Sequence, residues 1–112
     1  MAMNVVRVPP RETGVKNTFV TVTSLGSNEV IAAVAGRRIR VVGLAVITTL
    51  ANAVKFMSAA TDISATLPLG ANGGVVLPFN EHGWFQTSEG EALNINLGTA
   101  TSTGVQVVYQ AL

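Results

Sequence analysis

The sequence predicts an all-β protein, an antiparallel β-sandwich or barrel of eight or nine short strands behind an extended N-terminal arm. Three observations predict it. β-Branched and aromatic runs recur at intervals of roughly 8 to 12 residues. Clusters of Gly, Asn and Pro punctuate them, and no segment carries an apolar repeat at helical spacing. A chain of 112 residues makes one domain and buries about two-thirds of the surface its unfolded form exposes.

Residues 1 to about 16 form the arm, because Pro9-Pro10 cannot sit inside a helix or a central strand and Arg7, Arg11 and Lys16 surround them. Thr18 to Thr23 is the first strand, with Val20 and Val22 alternating against Phe19 and Thr21, and Phe19 is placed in the core. Gly26-Ser27-Asn28 is the following turn and Glu29 to Val34 the second strand. Arg37 to Thr49 differs in kind, since Val41, Val42, Gly43, Leu44, Ala45, Val46 and Ile47 are apolar on both alternating faces. A strand normally wets one face in an antiparallel sandwich, so this one requires a second layer, and the expected second layer is another subunit. Asn52 to Ser58 follows with Val54 and Phe56 inward. Ser64 to Leu69 and Val75 to Phe79 flank a glycine-rich turn at Gly70 to Gly74. Trp84 to Thr87, Ala92 to Leu97 and Thr103 to Ala111 complete the chain.

The composition bears on function more than on fold. Hydrophobic residues make up 48% of the chain and charged residues only 12%, about half the usual share. A surface so poor in charge is expected to be partly covered by other protein, which makes the chain a homo-oligomer. A net charge of +1 does not suit a protein that holds nucleic acid by phosphate neutralisation. All seven Lys and Arg lie between Arg7 and Lys55, while Asp62, Glu81, Glu89 and Glu91 follow them. Opposed patches meeting between subunits would explain that order, as would scattered solvated charges. The absence of Cys excludes disulfides and thiolate metal sites. The first ten residues lack the form of a signal peptide. The apolar run between Arg40 and Lys55 is too short to span a bilayer. No membrane partner and synthesis in the cytoplasm are therefore expected.

No set of residues points to catalysis. His82 is the only His and sits in a turn; Ser88, His82 and Asp62 can be combined on paper, but no Gly-x-Ser-x-Gly elbow supports a nucleophile. Glu89 and Glu91 flank Gly90, yet the further oxygen ligands of a calcium loop are missing. The turn at Gly70 to Gly74 lacks the Lys-Ser/Thr of a phosphate loop. Arg37-Arg38-x-Arg40 has no aromatic residue beside it for base stacking, which favours a solvated turn or an ion-pair set between subunits. Trp84-Phe85 could stack on a sugar, although adjacent strand residues point to opposite faces, so one belongs to the core and the other to a surface or interface. No cofactor, no metal and no enzymatic activity are expected.

Several segments together resemble small virion proteins of tailed bacteriophages of the capsid decoration, or cement, type. They are Val34-Ala35-Gly36-Arg37-Arg38-Ile39-Arg40-Val41, Val54-Lys55-Phe56-Met57-Ser58, Leu67-Pro68-Leu69 with Gly73-Gly74-Val75-Val76-Leu77-Pro78, Gly83-Trp84-Phe85-x-Thr87-x-x-Gly90-Glu91-x-Leu93, and Gly104-x-x-x-x-Tyr109. The resemblance covers residues 29 to 112 and implies a jelly-roll-like β-sandwich, a homotrimer and a seat on the outside of an icosahedral shell, with the major capsid protein as partner. On that expectation Val5, Arg7, Pro9, Pro10 and Arg11 of the arm contact the capsid, and Arg37, Arg40, Val42, Leu44, Val46 and Trp84 contact neighbouring subunits. The alternative is an adhesion module of a tail or fibre, in which Trp84, Phe85 and the loop of Glu89 to Glu91 contact a host glycan.

Overall fold

A computed structural model of the chain describes residues 14–112. The arm contacts expected at Val5, Arg7, Pro9, Pro10 and Arg11 lie outside the described residues. Ten strands follow one another: β1 Lys16–Val22, β2 Gly26–Ile31, β3 Ile39–Thr48, β4 Asn52–Ser58, β5 Thr61–Asp62, β6 Leu67–Leu69, β7 Gly74–Leu77, β8 Phe85–Gln86, β9 Leu93–Leu97 and β10 Thr103–Ala111. They form two antiparallel sheets. In the first the order is β1-β10-β3-β7, with β8 beside the other end of β3; in the second it is β2-β9-β4-β5, with β6 beside the other end of β4.

The pairs β5/β6 and β7/β8 each act as one interrupted edge strand, which reduces ten strands to eight positions. The chain then changes sheet at every connection between positions except that from the fourth to the fifth, and each sheet joins its strands antiparallel in the order first-eighth-third-sixth or second-seventh-fourth-fifth. That is the double Greek key of a jelly roll. The expected all-β, jelly-roll-like sandwich is the fold.

Period-2 alternation fills the space between the sheets. Ile39, Val41, Leu44, Val46, Val105 and Val107 from the first sheet meet Val54, Phe56, Leu93, Ile95 and Leu97 from the second, all of them buried. Phe85 stacks on Phe56 with ring centroids 5.1 Å apart, so Phe85 is the core member of the Trp84-Phe85 pair. One end of this core is closed by polar groups that satisfy one another. Asn52 accepts the Thr99 N–H at 2.9 Å and donates to the Thr99 carbonyl at 3.2 Å, while buried Thr48 donates to the Leu50 carbonyl at 2.8 Å.

The doubly apolar strand has a different cause from the one expected. The pairing of β3 with β10 shifts where Val108 opposes Gly43 and Tyr109 opposes Val41, which leaves Val42 as an extra residue. Such a bulge reverses the in-and-out phase of a strand. Before it the odd residues Ile39 and Val41 face the core; after it the even residues Leu44 and Val46 do. Leu44 and Val46, expected at a subunit interface, are therefore core residues of the chain itself. Val42 is also fully buried within the chain, where its carbonyl accepts the Asn80 N–H at 2.8 Å.

Other boundaries differ for local reasons. Gly26-Ser27-Asn28 opens β2 instead of forming the turn: Gly26 takes φ +88°, and the Asn28 amide donates to the carbonyls of Ser24 and Gly26, which closes the turn at residues 23–25. Lys16 and Asn17 belong to β1, so the strand begins inside the residues expected in the arm. Of the strand expected at Ser64 to Leu69 only β6 forms.

Candidate interaction surface

The outer faces of the two sheets differ sharply. On the second sheet Ser27 lies opposite Asn96 and Asn96 opposite Lys55, while Glu29 lies opposite Asn94, Asn94 opposite Met57 and Met57 opposite Asp62. Lys55 and Asp62 form an ion pair at 3.1 Å. This is the polar, solvated exterior that an antiparallel sandwich normally presents.

The first sheet presents something else. Its registers place Asn17, Val108 and Gly43 in one row across the strands, Phe19, Gln106, Ala45 and Val76 in the next, and Thr21, Gly104, Ile47 and Gly74 in a third. None of these residues is charged. Phe19 is 81% exposed, Val76 69%, Phe79 62% and Ile47 60%. Phe19, expected in the core, is outside because β1 turns Val20 and Val22 inward and alternation sends residue 19 the other way. The lower border is Arg40, which pairs with Gln86 in register and donates to its side-chain oxygen at 3.2 Å. At the opposite end the connections at 23–25, 49–51, 70–73 and 98–102 also contain no acid or base, and Leu25 and Leu50 stand exposed there. The uncharged surface thus runs continuously from the face over the tip.

Two shallow depressions mark this face, each with a glycine in its floor. One, of about 290 Å³, is lined by Phe19, Thr21, Ala45, Ile47, Gly104 and Gln106. The other, of about 200 Å³, lies over Gly43 beside Leu77, Phe79 and Val108. Each has an exposed phenylalanine at its rim.

The remaining expected interface residues gather at the charged end. Arg37 donates from Nη1 to the Ala111 carbonyl at 3.3 Å, and Arg38 exchanges two backbone hydrogen bonds with Leu112. Neither of these arginines, nor Arg40, forms an ion pair among the described residues. Trp84 is 42% exposed, and its indole N–H donates to the Pro78 carbonyl at 2.8 Å. Gly83 precedes it at φ +84°, and a Cβ there would come within 2.6 Å of the Arg40 stem. That position therefore needs glycine both for its φ and for the close approach of Arg40.

The residues considered for chemistry do not converge. His82 is exposed, with Glu81 at 3.8 Å, and Asp62 is engaged by Lys55 on the other sheet. Among the described residues no hydrogen bond joins Ser88 to either of them, and no group of three or more acidic or His side chains is placed to hold a metal. Glu91 has a structural partner: its carboxylate accepts from the hydroxyl of buried Ser58 at 2.5 Å, and the same Ser58 oxygen accepts the Ser88 N–H at 2.9 Å. The turn at Gly70 to Gly73 is tied down, since the Gly73 carbonyl accepts the Thr48 N–H and Asn72 N–H donates to the Thr49 carbonyl. In comparisons with known proteins, the chain matches no family model and no curated protein sequence.

Proposed function

We propose that this protein is a non-enzymatic structural subunit of a virion, a decoration or cement protein that forms homotrimers and clamps neighbouring major capsid proteins on the outside of the shell. The observation that carries the reading is the uncharged outer face of the first sheet. A stand-alone sandwich keeps such a face polar; this one leaves large apolar side chains outside, and that suits a subunit whose surface is meant to be covered. A jelly roll whose described residues bring no three acidic or His side chains together supports the same reading, as does the resemblance carried by the Gly83-Trp84-Phe85 and Gly90-Glu91 segments. A bound decoration layer stabilises a shell by mass action, because each occupied site favours the assembled lattice. Virions stripped of the protein are expected to lose resistance to heat and chelators, and re-addition should restore it. Unchanged resistance would contradict the clamping role.

A second reading rests on Trp84, whose ring is half-exposed while its N–H is satisfied internally, an arrangement that can present a rigid stacking surface to a sugar. Glycan binding by the purified protein that disappears in a folded Trp84→Ala variant would replace decoration by adhesion.

A further inference from the structure

We infer that the corner of the first sheet around Arg40 and Trp84 binds the acidic unit of a glycan, a hexuronate, with the sugar ring on the indole and the carboxylate on the guanidinium. The inference rests on the second reading above, in which Trp84 meets a sugar, and goes beyond it by naming the class of sugar and the residue that selects it. Arg37-Arg38-x-Arg40 lacks an aromatic neighbour in sequence, and the fold supplies one. Phe85 of β8 turns into the core against Phe56, so alternation sends Trp84 and Gln86 to the outer side, where Gln86 lies opposite Arg40. The Trp84 backbone N–H donates to the Val41 carbonyl at 2.8 Å, which keeps this residue beside the strand that carries Arg40. Arg38 exchanges its backbone hydrogen bonds with Leu112 and so continues the ladder of β3 and β10. It therefore shares the outer side with Arg40, about 7 Å further along the strand.

Both side chains are fixed before any ligand arrives. Arg40 donates from Nε to the Gln86 side-chain oxygen at 3.2 Å, and its stem lies so close to Gly83 that a Cβ there would approach Cγ to 2.6 Å. With Nε engaged, the two Nη groups remain, a planar pair of donors that matches the two oxygens of a carboxylate. Neither Arg38 nor Arg40 forms an ion pair among the described residues. Of the acids at this end, Glu91 accepts from Ser58, Glu81 lies beside His82, and Glu89 is exposed on its loop. Trp84 is anchored by its indole N–H on the Pro78 carbonyl and stays 42% exposed. A ring whose polar edge is already satisfied offers its apolar area to the C–H face of a pyranose. Groups ordered in advance lose less entropy when the ligand binds.

One exposed ring beside one free guanidinium fork suits a single sugar acid better than other anions. Single-stranded nucleic acid uses successive stacking rings along a basic groove, whereas this corner has Trp84 alone, with Glu81 and Glu89 at the same end of the molecule. An acidic peptide would engage the arginines and leave the Trp84 ring without a partner. A neutral sugar would use the ring and leave the arginine fork empty.

The test uses the full chain with oligomers of galacturonate and of glucuronate, each beside its methyl ester, which keeps the ring and removes the charge. Titration calorimetry is expected to show the acids bound about tenfold or more tighter than the esters at low salt, a gap that narrows as salt rises. Arg40→Ala, outside the core, should keep a cooperative thermal transition and erase that gap. Arg40→Lys, which keeps the charge without the planar fork, should restore only part of it. Trp84→Phe should retain binding to the acids and Trp84→Ala should lose it. Equal binding of acid and ester that needs Trp84 keeps the adhesion reading and overturns the acid assignment, and binding of neither overturns both. Polyglutamate or single-stranded DNA bound as tightly as the hexuronates, and unaffected by Trp84→Ala, would overturn the sugar acid in favour of a general anion.

Discussion

Ser58 joins three parts of the chain with one hydroxyl. It is buried at the end of β4, donates to Glu91 and accepts the Ser88 N–H, so it connects the second sheet to the loop that leads from β8 to β9. Removing that hydroxyl leaves a backbone donor without its partner and a carboxylate without its donor. Ser58→Ala should therefore cost about 1–3 kcal/mol, measured as a shift of the urea midpoint at constant slope. A variant as stable as the parent would mean that water replaces both bonds. Alternation placed one of Trp84 and Phe85 in the core, and the structure shows it to be Phe85, stacked on Phe56. The partnership of Glu91 was not legible, because a carboxylate beside glycine reads as solvated until the fold brings Ser58, more than thirty residues away, to its side. Phe19 was misplaced because an aromatic residue in a β-branched strand suggests core, whereas its neighbours Val20 and Val22 set the inward phase.

At the level of elements, β3 decides how the sandwich closes. Its run of apolar residues is legible in sequence, but the bulge at Val42 is not, since nothing in Val41-Val42-Gly43 announces which residue is the extra one. The insertion explains why Ile39 and Val41 share a face with Leu44 and Val46, and why no second subunit is needed to cover them. Deleting Val42 removes the extra residue and leaves Ile39, Val41, Leu44 and Val46 in strict alternation on the core face. That variant is expected to fold with a lower thermal midpoint, since it loses a fully buried side chain and the carbonyl that accepts the Asn80 N–H; an insoluble product would show that the bulge is required to close the sandwich. Strand existence was readable wherever β-branched residues alternate, as in β9 and β10. The two-residue strand β5 carries too little pattern to be seen, and it exists because β4 offers it an edge, whereas β8 falls within the strand expected at Trp84 to Thr87.

Across the whole molecule, charge and apolar surface are separated. Arg37, Arg38, Arg40, Glu81, Glu89 and Glu91 gather toward the end where β3 begins, while the opposite tip and most of the outer face of the first sheet carry none. The low charge content was legible; where the uncharged surface lies depended on sheet order, which pairs β1 with the last strand and no local signal specifies. The two outer faces differ accordingly, one with Lys55 and Asp62 paired and one with Phe19, Ile47 and Val76 exposed. The most direct measurement is the solution mass of the purified wild-type chain by light scattering. The account predicts three copies of the 11.6 kDa chain at micromolar concentration. A single-copy mass at those concentrations would contradict it.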